Sequence, residues 1–271
     1  MQISYEKINY NVEIKGSGIP VVLLHGFSES IDTFEYLKLK NFKVILIDLI
    51  GHGKSDSPIS IKYYNLSYLL KAINFIINKV TKEKYILYGY SMGGRIALAY
   101  SLIYKDEIHS LILESASYGE YDKVRRKNRR GSDYKLAKNI KVNGIEWFQS
   151  YWSKLPIFES QGFIKEEIKD KIKILKLKNN INGLTKSLIG FGQGRVPCVK
   201  SEISKLNLNV LYISGSLDEK YNLIGKEFET LNNKVKHITI QYSGHNIHME
   251  KPMDLEIIIN NFIRMGEDEQ N

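Results

Sequence analysis

A chain of 271 residues with 43% hydrophobic content is long enough to bury a sizeable core, as one large domain or two small ones. Its single cysteine, Cys198, excludes an internal disulfide. The lack of a signal-peptide pattern or of an apolar run of spanning length predicts a cytoplasmic protein without membrane insertion. The formal net charge of +9 accompanies many Lys, Asn and Ile residues and does not by itself identify a partner.

Apolar runs that end in small or polar residues alternate with stretches of helical periodicity along most of the chain. The first stretch, ISYEKINYNVEIK, predicts a strand pair with a short turn at the edge of a sheet. Such alternation indicates an α/β fold with a mostly parallel central sheet flanked by helices. The predicted buried strands are residues 19–26, 43–53, 84–91, 109–116, 209–216 and 236–245, and the predicted helices are 65–80, 93–105, 222–232 and 252–265.

The alternation stops between residues 117 and 199, where helical patterns occur without strands. This segment holds both tryptophans and the basic run KVRRKNRR at 123–130. We predict that residues 117–199 form a helical cap inserted after the fourth parallel strand, and that residues 1–116 and 200–271 form the core. A cap at this place would lie over the carboxyl ends of the strands, where open α/β sheets bind ligands. Within it, Trp147, Phe148 and Phe158 are predicted as apolar core.

The stretch YGYSMGGRIALAY, residues 88–100, contains the pattern GxSxG at a predicted strand-to-helix junction. In a nucleophile elbow a sharp turn lifts the serine hydroxyl above the sheet, and glycines two residues away leave room for it. Ser91 would also lie at a helix N-terminus, where backbone N–H groups face any negative charge that forms. The pattern predicts Ser91 as a catalytic residue of an α/β-hydrolase fold.

A catalytic serine needs a base, and the base needs a partner that orients it. In this fold the chain order is serine, acid and histidine, with the last two on loops after late strands. Asp218 follows NVLYISGS and His245 follows KHITIQYSG, so we predict them as the acid and the base. Glu114 and His248 are the rival acid and the rival histidine. A metal site at the two histidines would lack a third ligand nearby, so no metal is expected.

Backbone N–H groups would complete this site as donors to an oxyanion. One donor is the N–H that follows the nucleophile, here Met92, and the other comes from the loop that begins with HGF, where we predict Phe27. For His25 and His52 we predict a structural role in holding their loops.

Arg95 lies four residues after the predicted nucleophile, where it is either a solvated helix charge or a pocket residue. In the pocket it would indicate an anionic substrate, because guanidinium groups pair with carboxylates in a bidentate manner.

Further motifs extend over nearly the whole chain: IDLIGHGKSDSP, GYSMGGRIALAY, LILESAS, SDYKLAKNI, FQSYWSKLPIF, GFGQG, SGSLDEKY and SGHNIHMEKP. In this succession they resemble the menaquinone-pathway 2-succinyl-6-hydroxy-2,4-cyclohexadiene-1-carboxylate synthases of the α/β-hydrolase fold superfamily. The resemblance implies a lyase that uses no cofactor and no metal. It would remove a carbon-bound proton from 2-succinyl-5-enolpyruvyl-6-hydroxy-3-cyclohexene-1-carboxylate, a small polycarboxylate, and eliminate pyruvate.

The resemblance also implies roles for individual residues. Within the basic run it favours Arg129, four residues before Asp133, over Arg125 and Arg126 as the arginine that faces the pocket. The implied catalytic residues are Ser91, Asp218 and His245, the implied oxyanion donors are Phe27 and Met92, and the implied substrate-binding residues are Tyr90, Arg95, Arg129, Trp152 and Lys176.

The sequence departs from the family pattern at three positions. Lys176 stands where an arginine is usual, Ile189 replaces another arginine, and Lys200 stands where many relatives have tryptophan. Lysine keeps the charge but loses the planar fork, so either the substrate is held less specifically or it has changed.

Two other functions stay open at this stage. A serine hydrolase of an ester, thioester or C–C bond would use the same triad, but it would not need Arg95 and Arg129 to converge. A receptor without activity would use the pocket only for binding, which an intact triad disfavours. The basic run has no accompanying nucleic-acid-binding motif, so we expect no nucleic acid partner. The sequence does not indicate the oligomeric state.

Overall fold

A mixed eight-stranded sheet organises the computed structural model, which describes residues 1–268 of the protein. The order across the sheet is β1-β2-β4-β3-β5-β6-β7-β8. β1 pairs antiparallel with β2, and β2 pairs antiparallel with β4, whereas all other neighbours are parallel. The strands are β1 Gln2–Tyr5, β2 Ile8–Lys15, β3 Ile19–Leu24, β4 Phe42–Ile47, β5 Tyr85–Tyr90, β6 Ile108–Glu114, β7 Asn209–Gly215 and β8 Val235–Ile240. The predicted edge pair and the mostly parallel sheet are thus confirmed.

Helices cover both faces of the sheet. The helices are α1 Leu66–Val80, α2 Met92–Ser101, α3 Lys123–Ser153, α4 Glu166–Leu177, α5 Ile181–Phe191, α6 Glu219–Leu231, α7 Ile247–Glu250 and α8 Pro252–Asp268. Shorter 3-10 turns span Ile31–Tyr36, Ile61–Tyr63, Lys105–Glu107, Pro156–Phe163 and Lys200–Lys205. Within the described residues, no helix combines the length and the apolar character that crossing a membrane requires.

The apolar runs are continuous because both faces of the sheet are buried. In β3, Val22 and Leu24 join an apolar cluster with α1 and α2, whereas Val21 and Leu23 join a second cluster with α8. Side chains of a strand alternate between the two faces, so a strand covered on both sides needs an apolar residue at every position. This packing confirms the predicted flanking of the sheet by helices.

All six predicted strands end earlier than predicted, by one or two residues in four of them and by five or more in the other two. The run 43–53 ends as a strand at Ile47, because Asp48 accepts the N–H groups of Ile31 and Lys54 and the chain then turns at Gly51, where φ is +80°. The run 236–245 ends at Ile240. In both cases the remaining residues form loops at the carboxyl edge of the sheet.

Between β6 and β7 the chain leaves the sheet and forms α3, α4 and α5. We call residues 117–199 the cap segment. Asp122 caps α3 by accepting the N–H of Arg125 at 2.7 Å, and Gly144, with φ +85°, interrupts its helical geometry. A small apolar cluster that includes Phe148 and Leu188 joins α3 to α5. The division of the chain into core and cap at these boundaries stays a prediction, and residues 269–271 of the predicted core lie outside the described residues.

Candidate active site

The strand-to-helix turn between β5 and α2 holds Ser91 in a strained conformation. Its φ is +49° and its ψ is −104°, in a region that residues other than glycine rarely adopt. Gly89 and Gly93 make the turn possible. A Cβ on Gly89 would lie 2.5 Å from the carbonyl oxygen of Gly93, and a Cβ on Gly93 would overlap the carbonyl oxygen of Leu24. The absence of these side chains is what allows the Ser91 hydroxyl to stand above the sheet.

Ser91, His245 and Asp218 form a hydrogen-bonded row, although they come from three separate loops. The Ser91 hydroxyl lies 2.9 Å from His245 Nε2, and His245 Nδ1 lies 2.6 Å from Asp218 Oδ2. Asp218 is also the N-cap of α6, where it accepts the N–H of Tyr221. In this arrangement the imidazole can accept the serine proton while the buried carboxylate orients the ring and stabilises its charged form.

Glu114 and His248, the rival acid and the rival histidine, are hydrogen-bonded to each other, and neither is hydrogen-bonded to His245. His248 Nδ1 donates to Glu114 Oε2 at 2.9 Å, and Tyr88 donates to the same carboxylate. Burial lowers the pKa of His248, but the neighbouring Glu114 carboxylate outweighs this effect and the net pKa is raised. The pair therefore forms a buried, hydrogen-bonded group that also anchors the loop carrying His245, since Glu114 accepts the N–H of Ile247.

Two backbone N–H groups are available at the positions predicted for oxyanion donors. Phe27 and Met92 both line the same cavity as Ser91. Among residues 1–268, neither N–H donates a hydrogen bond to a protein acceptor. Preorganised donors of this kind stabilise negative charge that develops in a transition state.

His25 holds the loop that carries Phe27. Its Nδ1 lies 2.8 Å from the carbonyl oxygen of Gly26, and its Nε2 accepts the N–H of Leu49 at 3.0 Å. Because Nε2 accepts, the ring is neutral, and burial lowers its pKa to about 4. His52 packs beside it, with the ring centroids 5.3 Å apart. These contacts agree with a structural role for both histidines.

A cavity of about 320 Å³ lies between the carboxyl edge of the sheet and the cap segment. All the residues predicted for the site line it except Asp218, which contacts the ring of His245 on the side away from Ser91. Residues from β5, α2, α3, α4 and the loop that carries His245 therefore converge on one cavity, although 154 positions separate Ser91 from His245 in the chain.

Arg95 faces this cavity rather than solvent. It is 8% exposed, and its Nε has no hydrogen-bond partner within the described part of the chain. Burial lowers its pKa to about 10, with Tyr221 opposing the effect, so the guanidinium is charged at neutral pH. A buried charge without a partner is energetically costly, and an anionic ligand would compensate it.

Arg129 is the arginine of the basic run that reaches the cavity. Its Nε donates to Asp133 at 2.8 Å, and its Nη1 donates to Gln193. Arg126 instead donates to backbone carbonyl groups of residues 194 and 195, and Arg125 is exposed on the outer face of α3. The choice among the three arginines follows from helical spacing, because Arg129 and Asp133 lie one turn apart on the inner face.

Lys176, at the end of α4, is 5% exposed and lines the same cavity as Arg95. Burial lowers its pKa to about 8, and the nearby Glu29 carboxylate opposes this effect. Its ammonium lies 5.3 Å from the centre of the Phe158 ring. Lys176 is therefore a buried cation whose charge depends on pH in the physiological range.

Aromatic rings form much of the cavity wall. Trp152 packs against Phe27 with centroids 5.2 Å apart, and its indole N–H has no partner among the described residues. Tyr90 is buried and packs edge-on against His248 at 4.7 Å. The prediction that Phe158 is only cap core was wrong: it lines the cavity, with its ring 6.1 Å from that of His245, because the turn after α3 bends down to the sheet edge.

Two of the three departures from the family pattern lie away from the cavity. Ile189 packs with the apolar cluster of the cap segment. Lys200 pairs with Glu227 and lies 5.2 Å from the centre of the Tyr118 ring. Of the three, only Lys176 contacts the enclosed space.

Sequence reasoning missed several residues that line the cavity. Tyr221 is the last residue of the SGSLDEKY motif, three positions after Asp218, where a helical turn brings it back to the site. Gln193 is the polar residue of the GFGQG motif, and Glu29 follows Phe27 by two positions. Gln193 and Tyr221 had a signal in the sequence, since each lies in a motif that was already conspicuous, whereas Glu29 had none. Among the described residues, no group of three or more metal-ligating side chains occurs.

Known proteins resemble this chain over almost its full length. The family model described as alpha/beta hydrolase fold matches residues 19–252. A Bacillus subtilis protein named provisionally as a 2-succinyl-6-hydroxy-2,4-cyclohexadiene-1-carboxylate synthase is 34% identical over 245 residues, which cover 90% of this chain and 89% of that protein. The enzyme of that name from Enterobacter sp. is 27% identical over 251 residues, covering 92% of this chain and 93% of the relative.

A solved structure agrees with these relatives. The structure of MenH from S. aureus matches with a TM-score of 0.89 at 32% sequence identity, covering 95% of this chain and 98% of that one. With this coverage the match includes most of the cap segment.

Proposed function

Since this chain belongs to the α/β hydrolase fold family and, within it, to the 2-succinyl-6-hydroxy-2,4-cyclohexadiene-1-carboxylate synthases, we propose that it catalyses their reaction. In that reaction a carbon-bound proton is removed from 2-succinyl-5-enolpyruvyl-6-hydroxy-3-cyclohexene-1-carboxylate and pyruvate is eliminated, as a step of menaquinone biosynthesis. Family membership makes the protein a lyase. The substrate and the residues that act on it are the proposal.

The observation that carries the proposal is the convergence of three cations, two of them buried, on the cavity that holds Ser91 and His245. Arg95, Arg129 and Lys176 all line it, and Arg95 has no protein carboxylate as a salt-bridge partner within the described residues. A guanidinium and a carboxylate about 4 Å apart attract by roughly 4 kcal/mol at an effective dielectric constant near 20. A polycarboxylate would therefore be favoured here, whereas a neutral ester gains nothing from these charges.

The first step is removal of the proton from the ring carbon that bears the succinyl ketone. Ser91 is partly exposed to the cavity, whereas His245 is 2% exposed and lies behind it. We therefore assign the Ser91 oxygen as the atom that takes the proton, while its own proton passes to His245 Nε2. Asp218 accepts a hydrogen bond from Nδ1–H, without taking the proton, and stabilises the imidazolium. A base positioned in this way contributes about 100- to 10,000-fold to the rate.

The negative charge that develops on the ketone oxygen is received by the N–H groups of Phe27 and Met92. The electron pair then moves through the ring double bond and breaks the bond to the enolpyruvyl oxygen, which leaves a conjugated diene in the ring. The leaving enolpyruvate takes the proton held at His245 and becomes pyruvate. One proton moves from the ring to pyruvate, so no cofactor or other reactant enters the balance.

The second candidate function is serine hydrolysis of an ester, thioester or C–C bond. The observation that favours it is the same row of Ser91, His245 and Asp218 with two free N–H donors, which is competent for acyl transfer. The two functions differ in whether Ser91 carries a proton or forms a covalent bond.

Purified protein should release pyruvate from the enolpyruvyl substrate, measured by coupled oxidation of NADH, far faster than it cleaves p-nitrophenyl acetate. Ser91→Ala should lower pyruvate release by about 100-fold or more, since it removes the proposed base. Rapid ester cleavage by wild-type protein with no pyruvate release would reverse the order of the two functions.

A further inference from the structure

The carboxylate of Glu29 links the loop of the proposed oxyanion donor to the loop of the proposed base. Glu29 Oε2 accepts the N–H of Gly26 at 3.2 Å, and Gly26 immediately precedes Phe27. Glu29 Oε1 accepts the side-chain amide N–H of Asn246 at 2.8 Å, and Asn246 immediately follows His245. One buried side chain therefore joins two loops that are 217 positions apart in the sequence.

The loop that carries His245 is anchored from below to β6. Glu114, at the end of that strand, accepts the N–H of Ile247 at 2.6 Å and the Nδ1 proton of His248. The opposite nitrogen of His248, Nε2, lies 3.9 Å from Glu29 Oε2. The His248 ring thus lies between the side chains of Glu114 and Glu29, and the hydrogen-bonded connection from β6 to the oxyanion loop runs through the loop residues Ile247 and Asn246 to Glu29.

The oxyanion loop has little freedom to move around Glu29. A Cβ on Gly26 would lie 2.5 Å from the Tyr90 ring and 3.2 Å from Glu29 Oε2, so the loop backbone fits closely between these two side chains. Both Glu29 oxygens already accept N–H groups, so the carboxylate is occupied by the protein rather than available as a base for the substrate.

We infer that Glu29 is a positioning residue, which sets the distance between the N–H of Phe27 and the imidazole of His245 through its two hydrogen bonds. The chemistry that this distance serves is the proposed function above. Both groups must reach the same substrate at once, and a misplacement of about 1 Å can cost roughly 100-fold in rate. No short-range sequence signal marks this role, because it depends on a contact with the far end of the chain.

Two substitutions at Glu29 test whether its effect on catalysis depends on its two hydrogen bonds. Glu29→Ala removes both bonds, and we expect kcat for pyruvate release to fall about 10- to 100-fold with a much smaller change in KM. Glu29→Gln should stay close to wild type, because its amide can still accept from Gly26 and donate to Asn246 Oδ1, which has no partner among the described residues. Equal losses in both variants, or an unchanged kcat in Glu29→Ala, would overturn the inference.

Asn232→Ala is the control for loss of side-chain hydrogen bonds away from the site. The Asn232 side chain donates to the carbonyl groups of Ile203 and Leu206 at 2.7 and 2.9 Å, accepts the N–H of Lys234 at 2.9 Å, and does not line the cavity. We expect it to lower the melting temperature as Glu29→Ala does while leaving kcat per folded molecule unchanged. A similar fall in kcat in this control would mean that destabilisation alone explains the effect at Glu29.

A second readout keeps this inference distinct from the proposed function. A neutral alkyl fluorophosphonate phosphonylates an activated serine without using the cationic pocket, and the rate of its reaction at Ser91 can be followed by intact mass. Glu29→Ala should slow this reaction at least tenfold, and Glu29→Gln should not. If wild-type protein releases no pyruvate but Glu29→Ala still slows phosphonylation, the proposed substrate fails while the positioning role stands; an unchanged rate of phosphonylation would refute that role.

Discussion

Arg95 illustrates at the scale of one residue how a binding group can oppose folding. Its guanidinium is buried and its Nε has no partner among the described residues, so folding requires desolvation without forming a complete set of hydrogen bonds. The charge becomes favourable only when an anion enters the cavity. Substrate binding and folding stability should therefore respond in opposite directions when the charge is removed.

Arg95→Met tests this separation, since methionine fills much of the same space without the charge. We expect KM for the anionic substrate to rise about 30-fold, which corresponds to a loss of about 2 kcal/mol for a charged hydrogen-bonded contact. We expect the free energy of unfolding, measured with urea, to be unchanged or higher. Parallel losses of affinity and stability would show that Arg95 is a structural residue.

Lys176 should make substrate binding depend on pH. Burial lowers its pKa to about 8, so the ammonium is charged below that pH and neutral above it. We expect KM to rise by about tenfold, or about 1.4 kcal/mol, as the pH passes from 7 to 9.5. Lys176→Arg should remove most of this rise, because a guanidinium stays protonated throughout. Identical KM profiles for the two proteins would show that Lys176 does not bind the substrate.

The lowered pKa of Lys176 also makes the free energy of unfolding depend on pH. The folded pKa of Lys176 lies below the value of 10.5 for an unperturbed lysine, so between about pH 8 and 10.5 the unfolded chain binds more protons. Its contribution to the free energy of unfolding therefore increases with pH across that window. The charged form is the destabilising one at neutral pH, as expected for a cation kept for binding.

Residues whose roles depend on short-range pattern could be predicted from the sequence. Ser91 has glycines at fixed offsets, and Asp218 and His245 follow apolar strands directly, so local sequence places them at the sheet edge. Glu29 had no such signal, because what makes it part of the site is a contact with a distant loop. Phe158 was assigned only to the cap core for the same reason: an apolar residue gives the same pattern whether it faces a core or a cavity.

At the scale of secondary structure, the strands were predictable because double-sided burial demands continuous apolar runs. The interruption of α3 was not, since nothing in a helical pattern distinguishes Gly144 from Gly131 on the same helix. The structure separates them: Gly144 has φ +85° and ψ −176°, whereas Gly131 lies in regular helix with open space where a Cβ would stand. That difference determines how each tolerates a side chain.

Replacing each of these glycines by alanine gives a matched pair on one helix. Gly131→Ala should raise the free energy of unfolding by up to about 1 kcal/mol, because alanine favours helix and restricts the unfolded chain. Gly144→Ala should lower it by about 1 to 3 kcal/mol, because its backbone conformation is almost exclusive to glycine. Chemical denaturation measures both, and stabilisation by Gly144→Ala would show that the helix is continuous in solution.

At the scale of the whole molecule, the cap segment brings positive charge to the edge of the cavity as well as into it. The outer face of α3 carries exposed lysines and arginines, and its one carboxylate between residues 123 and 143, that of Asp133, is buried facing Arg129. The fold thus places a basic surface on the same helix that supplies Arg129 to the cavity. The division at residues 117–199 remains a prediction, but this arrangement gives the cap segment a role besides covering the site.

The basic surface of α3 should therefore attract a polyanionic substrate before it binds, and the net charge of +9 adds to this attraction. The Debye length falls from about 30 Å at 0.01 M salt to about 3 Å at 1 M, so kcat/KM should fall steeply over this range while kcat changes little. The double variant Lys135→Glu with Lys138→Glu, on α3, should lower kcat/KM and flatten its salt dependence.

A second double variant distinguishes the effect of where the positive charge lies from the effect of the total charge. Lys71→Glu with Lys226→Glu changes exposed lysines of α1 and α6 and lowers the net charge by the same amount. If the field of the cap segment guides the substrate, this control should retain most of the kcat/KM and salt dependence of wild type. Equal effects of the two double variants would mean that only the total charge of the protein matters. At distances much longer than the cavity, the attraction between protein and substrate does not depend on which face of the protein carries the charge.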